Sequence, residues 1–312
     1  MKTSYGVLKP RHFLERWNSA TRSINLKNPK FIDVQGIRTR YFEAGQGEPL
    51  VLISGGQFGS FNCATDWDLN FEGLARDFRV FAIDKIGQGH TDNPREPADY
   101  LFATAIQHIR DFMKAVGLES AHIAGHSRGG YAAVRIALES PALVKSLIIV
   151  DSGSMMHEAA PFYAELAAKA AHITDPREKH EFYMVNSSFS GKIVSQGWLD
   201  DVMSFVTTPK YRIAQETDTA TRPVWNKDFV AKQRETKAWI ARGGLKDLPV
   251  LVIWAYEDQG APIEECGIPA MRLILPNVRN AQMHIFNQSG HYVFREHPEK
   301  FNGILRTFIK GL

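Results

Sequence analysis

The segment Ala121-His122-Ile123-Ala124-Gly125-His126-Ser127-Arg128-Gly129-Gly130 constrains this chain more than any other. An apolar run ends in the pattern G-x-S-x-G, and a helix-forming stretch, Tyr131 to Leu138, follows at once. Strand, sharp turn and helix in that order make a nucleophile elbow. A side chain at Gly125 or Gly129 would crowd the neighbouring backbone of so tight a turn. The turn lifts the Ser127 hydroxyl above a sheet and sets it at a helix N-terminus. The first amides of a helix have no helical partner and can face a developing negative charge.

The flanking chain alternates strands and helices. Phe31 to Val34 and Ile37 to Glu43 enclose Gln35-Gly36 and read as a hairpin. Leu50 to Ile53 is a short buried strand before the glycine-rich loop Ser54-Gly55-Gly56-Gln57-Phe58-Gly59. Trp67 to Asp77 reads as helix, Arg79 to Ile83 as strand and Leu101 to Val116 as amphipathic helix. Ser146 to Val150, Pro249 to Trp254 and Gln282 to Phe286 read as further strands, and Pro298 to Ile309 as a closing helix. This rhythm predicts a mostly parallel sheet with helices on both faces.

From about Gly153 to Gly244 the pattern becomes helical and rich in aromatics. A helical block inserted before the last two strands predicts a lid over the sheet's C-terminal edge, where such sheets bind ligands. The expected division is an N-terminal extension at 1–30, a core at 31–152 and 245–312, and a helical lid at 153–244. Most of the aromatics from Phe162 to Trp239 are expected to pack a small core of the lid's own.

Composition excludes several classes. A net charge of +3 over 312 residues gives no basis for nucleic-acid or membrane-surface binding. No apolar run is long enough to span a membrane, and residues 1–10 hold no secretory h-region. Cys63 and Cys266 lie far apart and form no metal-ligand pair, so free thiols in a reducing cytoplasm are expected. No metal site and no organic cofactor is expected.

A serine hydroxyl needs a base to attack at neutral pH. After an elbow serine the chain order is acid, then histidine. His291, in Ser289-Gly290-His291-Tyr292 just after the last strand, has the best context of the eleven histidines. His126, inside the elbow, is expected to point away, and His284 to be a packed strand histidine. Asp258, after the Pro249 to Trp254 strand, is the expected acid. Glu257 beside it should point elsewhere, and Asp151 after the preceding strand is the rival. Asp84 and Asp92 read as structural acids beside tight turns. An oxyanion hole needs two donors. The Arg128 amide is the first, and the amide of Gly56 or Gln57 is the second.

With these pieces placed, the chain resembles an α/β-hydrolase fold enzyme from about Phe31 to its C-terminus. Within that superfamily it looks most like the serine hydrolases that cleave carbon–carbon bonds in meta-cleavage products of aromatic degradation. The matching segments are Ser54-Gly55-Gly56 with Trp67 downstream, Asp84 to Asp92, the elbow, and His284 to His291. The resemblance implies a small-molecule substrate, and homodimers are common in the family. Ser54 stands where the family often has His, and Tyr292 where it usually has Trp; Tyr292 is thus an expected substrate contact. The family also carries a lid arginine for the substrate's keto-acid end, and Arg212 is the nearest candidate. In fluoroacetate dehalogenases, which share the fold, the elbow reads G-H-D-R-G and its arginine helps bind the substrate carboxylate. By that similarity Arg128 holds a carboxylate through its guanidinium fork, and the substrate is a small anion.

The leading reading is a cofactor-independent Ser127–His291–Asp258 hydrolase cutting a carbon–carbon bond, or alternatively a carboxylic ester or lactone. A non-hydrolytic ligand receptor and a cofactor-free dioxygenase are readings of another class on the same fold.

Overall fold

The structure is a computed structural model that describes residue 26 and residues 28–156 and 161–312. The expected N-terminal extension falls almost wholly outside the described residues. Eight strands form one sheet: β1 (Lys30–Val34), β2 (Ile37–Ala44), β3 (Pro49–Ile53), β4 (Arg79–Ile83), β5 (Ala121–His126), β6 (Val144–Val150), β7 (Val250–Ala255) and β8 (Ala281–Phe286). They lie in the order β1-β2-β4-β3-β5-β6-β7-β8. β2 pairs antiparallel with β1 and β4, and the remaining neighbours are parallel.

The central strands are apolar on both faces because helices cover both. Val51 and Ile53 of β3 face one core cluster, while Leu50 and Leu52 face the other. β7 divides in the same way, with Val252 and Trp254 on one side and Leu251 and Ile253 on the other. Each of these fully buried side chains contributes roughly 1.5–3 kcal/mol of hydrophobic stabilisation. α1 (Asp68–Leu74) covers one face together with the C-terminal α10 (Pro298–Lys310). α2 (Phe102–Ala115) and α3 (Arg128–Glu139) cover the opposite face.

Between β6 and β7 run α4 (Pro161–Lys169), α5 (Pro176–Asn186), α6 (Gln196–Val206) and the long α7 (Pro209–Ala241). Their aromatics do not mainly form a separate core, contrary to expectation. Trp198, Phe205 and Tyr211 join one face of the main core, and Trp225 and Phe229 join the other. Among the described residues only Leu166, Ala170, Ile173 and Phe182 make a small cluster of their own. Ion pairs tie the block down further. Arg40 on β2 holds Asp84 at 2.6 Å and Asp201 of α6 at 2.7 Å, with its side chain almost fully buried. Two short helices complete the chain, α8 (Ile268–Ile274) and α9 (Val293–Glu296).

Candidate active site

Ser127 sits between β5 and α3 with φ +52°, in the left-handed region that strains a residue with a Cβ. The surroundings hold it there. Its amide donates to the Val150 carbonyl at 2.8 Å, and its carbonyl accepts from the Ser152 hydroxyl at 2.6 Å. The glycines are needed for contact. A Cβ on Gly125 would strike the backbone of Gly129, and one on Gly129 would strike the carbonyl oxygens of Ile53 and Ser54.

His291 lies in the loop between β8 and α9, and its Nδ1 meets Asp258 Oδ2 at 2.7 Å. The other Asp258 oxygen accepts the amides of Gly260 and Ala261 at 2.7 and 2.9 Å. Both side chains are buried, which makes their hydrogen bond electrostatically stronger than it would be in water. Asp151 stands behind this pair rather than on His291. Its Oδ1 accepts the Ala255 amide at 2.7 Å, and burial, followed by the Asp258 charge, pushes its carboxyl well above the usual range. Glu257 turns aside and accepts the Ser289 amide at 3.2 Å. Ser127 and His291 line the same cavity, of about 680 Å³.

Two histidine expectations are corrected. His126 does not point away: its ring packs 4.6 Å from the His291 ring and its Nε2 bonds the His291 carbonyl oxygen at 2.7 Å. Full burial, and then the nearby His291, lower its pKa well below the ordinary imidazole value. It therefore props the histidine loop as a neutral ring. His284 is not a packed core residue, because β8 is the sheet's edge strand and leaves it partly exposed.

The glycine-rich loop lies opposite Ser127, and Gly56 and Gln57 reach the cavity wall. The Gln57 side chain bridges two elements. Its Nε2 donates to both Asp218 oxygens, at 3.0 and 2.9 Å, and its Oε1 accepts from Arg128 Nη1. Arg128 has no carboxylate partner among the described residues. Its guanidinium lies 5.0 Å from the Trp225 ring and shares the cavity wall with Arg222. Burial, and then the Arg222 charge, pull Arg128 down to about 10. Tyr292 also lines the cavity, and its hydroxyl meets Asn62 Nδ2 at 3.2 Å. Arg212 lies elsewhere: it pairs with Glu216 at 3.2 Å on a mostly exposed turn of α7.

Sequence reasoning missed Arg222, which enters the wall from α7 and pairs with Asp218. The Asp218–Arg222 spacing of four was the available signal. Arg128, Lys179 and Arg222 reach the wall, and among the described residues no aspartate or glutamate does. Phe61, Tyr183 and Tyr211 give it an aromatic side, with Phe61 and Tyr183 stacked. No three His, Cys, Asp or Glu side chains converge to hold a metal ion among the described residues. No helix among them is long and apolar enough to cross a membrane.

Known hydrolases are among the proteins this chain resembles. The chain is 28% identical over 292 residues to the 2-hydroxy-6-oxo-6-(2'-aminophenyl)hexa-2,4-dienoic acid hydrolase of Metapseudomonas resinovorans, covering 90% of each chain. It is 26% identical over 283 residues to the 2-hydroxymuconate semialdehyde hydrolase of Pseudomonas sp. strain CF600, covering 88% of this chain and 91% of that one. A point mutant of the meta-cleavage product hydrolase CumD superposes with a TM-score of 0.72 at 26% identity, over 92% of this chain and 100% of that one. The model of the alpha/beta hydrolase family matches residues 50–304. A mostly parallel sheet with helices on both faces accords with that match, and the chain belongs to the alpha/beta hydrolase family, as a hydrolytic enzyme.

Proposed function

We propose that this chain is a serine hydrolase of small carboxylate-bearing substrates, acting on a meta-cleavage product by hydrolysis of a carbon–carbon bond. One observation carries the reading: the cavity that holds Ser127 and His291 has cationic side chains in its wall and, among the described residues, no acidic ones. The similar proteins named above, which act on 2-hydroxy-6-oxodienoates or a muconate semialdehyde, support the substrate class.

In this reading His291 Nε2 is the base and Asp258 holds the ring in the tautomer that exposes it. Ser127 and His291 share the cavity, and in this reading the Ser127 hydroxyl gives its proton to His291 Nε2. The substrate dienol ketonises first, moving its proton from oxygen to carbon. Ser127, or water activated by His291, then adds to the remote carbonyl. The amides of Arg128 and of Gly56 or Gln57 hold the resulting oxyanion. Collapse breaks the carbon–carbon bond, and the leaving carbon takes a proton from the imidazolium; where Ser127 was the nucleophile, water activated by His291 then hydrolyses the acyl ester and returns the proton to Ser127. Overall, water is added across that bond, with hydroxyl on the acyl fragment and hydrogen on the other. The chemistry needs no metal or organic cofactor. The Arg128 guanidinium binds the carboxylate, and Tyr292 forms part of the wall behind the reacting carbon. The helical segment 153–244 serves as the lid over 31–152 and 245–312. The two buried free thiols fit a reducing cytoplasm.

Carboxylic ester or lactone hydrolysis is the second reading. It is favoured by the outward position of Arg212, which leaves the family's keto-acid contact unfilled at that place. Both readings are tested by fluorophosphonate labelling with benzoate as a competitor. A single adduct on Ser127, lost in Ser127→Ala and slowed by benzoate, is the expected result. An unlabelled protein would overturn the serine mechanism, and labelling indifferent to benzoate would overturn the anion site.

A further inference from the structure

Lys85 follows β4 in the loop beside the glycine-rich loop and is only 4% exposed. A lysine ammonium is rarely buried unless it is paired. No carboxylate lies within ion-pair distance of it among the described residues. Neighbouring Asp84 is occupied instead by Arg40 and by the amides of Ala64 and His90. The ammonium's partners are backbone oxygens: Nζ donates to the carbonyls of Ser54 and of Gly55, the latter at 2.7 Å. Gln88 Nε2 supports the same Gly55 oxygen at 3.1 Å and reaches Ser60 Oγ at 2.5 Å.

A planar trans peptide points its C=O and its N–H in opposite directions. No cis peptide bond occurs among the described residues. The Gly55 carbonyl faces Lys85 and Gln88, so the N–H of the same peptide, which belongs to Gly56, faces away from them. Gly56 lines the Ser127 cavity and turns the chain there with φ +68°. An amide or hydroxyl side chain could tether this loop at a lower desolvation cost than a buried cation. A cation behind the peptide does more. It polarises C=O and N–H together, in the direction that strengthens the N–H as a donor to a negative charge on the cavity side.

We propose that Lys85 is the positioning residue of the oxyanion hole: its ammonium grips the Ser54 and Gly55 carbonyls from behind and aims the polarised Gly56 N–H at the oxyanion formed over Ser127. This rests on the serine-hydrolase reading above. Burial pulls the Lys85 ammonium down to about 7, with Asp66, Asp84 and the Cys63 thiol favouring its charge and Arg128 opposing it.

The test is the kinetics of Ser127 phosphonylation by a fluorophosphonate, whose phosphonyl oxygen must enter the same hole. Lys85→Met keeps the length of the side chain and removes its donors. It should lower the limiting rate kinact roughly 10- to 100-fold, less than the roughly 10²–10³-fold cost of deleting an oxyanion donor outright. KI and the affinity for benzoate should hold. Lys85→Gln, a donor without charge, should fall between Lys85→Met and wild type, and it carries the test if Lys85→Met does not fold. Lys85→Arg should recover most of the rate. Wild-type kinact in Lys85→Met or Lys85→Gln, with benzoate still bound, overturns the proposal while leaving Ser127 in place. A wild-type protein that takes no label on Ser127 overturns the serine reading and this proposal with it.

Discussion

Replacing Arg128 by Met should weaken anion binding and stabilise the empty protein at the same time. Burial, and then the Arg222 charge, pull the guanidinium from its ordinary value down to about 10. That drop corresponds to roughly 3 kcal/mol against the charged form. The cavity admits solvent to the side chain, which reduces the figure to about 1–2 kcal/mol. Methionine keeps the packing on Trp225 and loses the bond to Gln57, leaving a net gain of about 1 kcal/mol, or a Tm rise of about 1–2 °C. A charge-assisted hydrogen bond to a bound carboxylate contributes about 1.5–3 kcal/mol. Its loss should weaken benzoate binding roughly 10- to 100-fold. Calorimetric titration with benzoate and a thermal melt of the same samples read both effects. Lys at this position keeps a charge without the fork and should fall between Arg and Met. If Arg128→Met binds benzoate like the wild type and melts lower, Arg128 is a structural residue and the anion site is wrongly placed.

Three further outcomes follow from other parts of the molecule. Asp258→Asn can keep the Gly260 and Ala261 amides on its oxygen, but it presents an NH₂ to His291 Nδ1 and imposes the wrong tautomer; kcat should fall by roughly 10³–10⁴ with an unchanged melt. Gly125→Ala drives a methyl into the Gly129 backbone and should cost about 2 kcal/mol or more, seen as a lowered midpoint in urea or as insoluble expression. His108 is buried between Thr39 and the Ile86 amide, and burial lowers its pKa from 6.5 to about 4. The folded state thus favours neutral His108. Its contribution is fully present above pH 6.5 and is lost as pH falls towards 4, by about 3 kcal/mol in all. His108→Gln should flatten that part of the acid limb of stability, measured by urea unfolding at several pH values.

Much of the fold could be read from the sequence because its signals are local. The buried strands at Leu50 to Ile53 and Pro249 to Trp254 are short apolar runs between turn residues, and they form as β3 and β7. The elbow declares itself through glycines whose missing side chains make room for neighbouring backbone. Chain order alone favoured Asp258 over Asp151, and Asp258 is the carboxylate that meets His291. The failures are long-range. No local signal marks Lys85, because only the approach of β3 to β4 buries it under the Ser54 and Gly55 carbonyls. Arg222 has a local partner in Asp218, but its place in the cavity depends on how α7 docks. α8 carries little local signal: Gly267 and Pro269 look like breakers, whereas they sit at its entry, at the end of the π-helical turn Ile263–Gly267. The direction of the His126 side chain is likewise not local, because it depends on the His291 loop packing against the elbow.

The most direct test of the central claim is the visible absorbance of a yellow meta-cleavage compound mixed with wild-type protein and with Ser127→Ala. Rapid bleaching by the wild type, lost in the mutant, with a carboxylic acid and a hydroxydienoate as products, is the expected result. Persistent colour with the wild type, or equal bleaching by both proteins, would contradict serine-dependent carbon–carbon hydrolysis at this site.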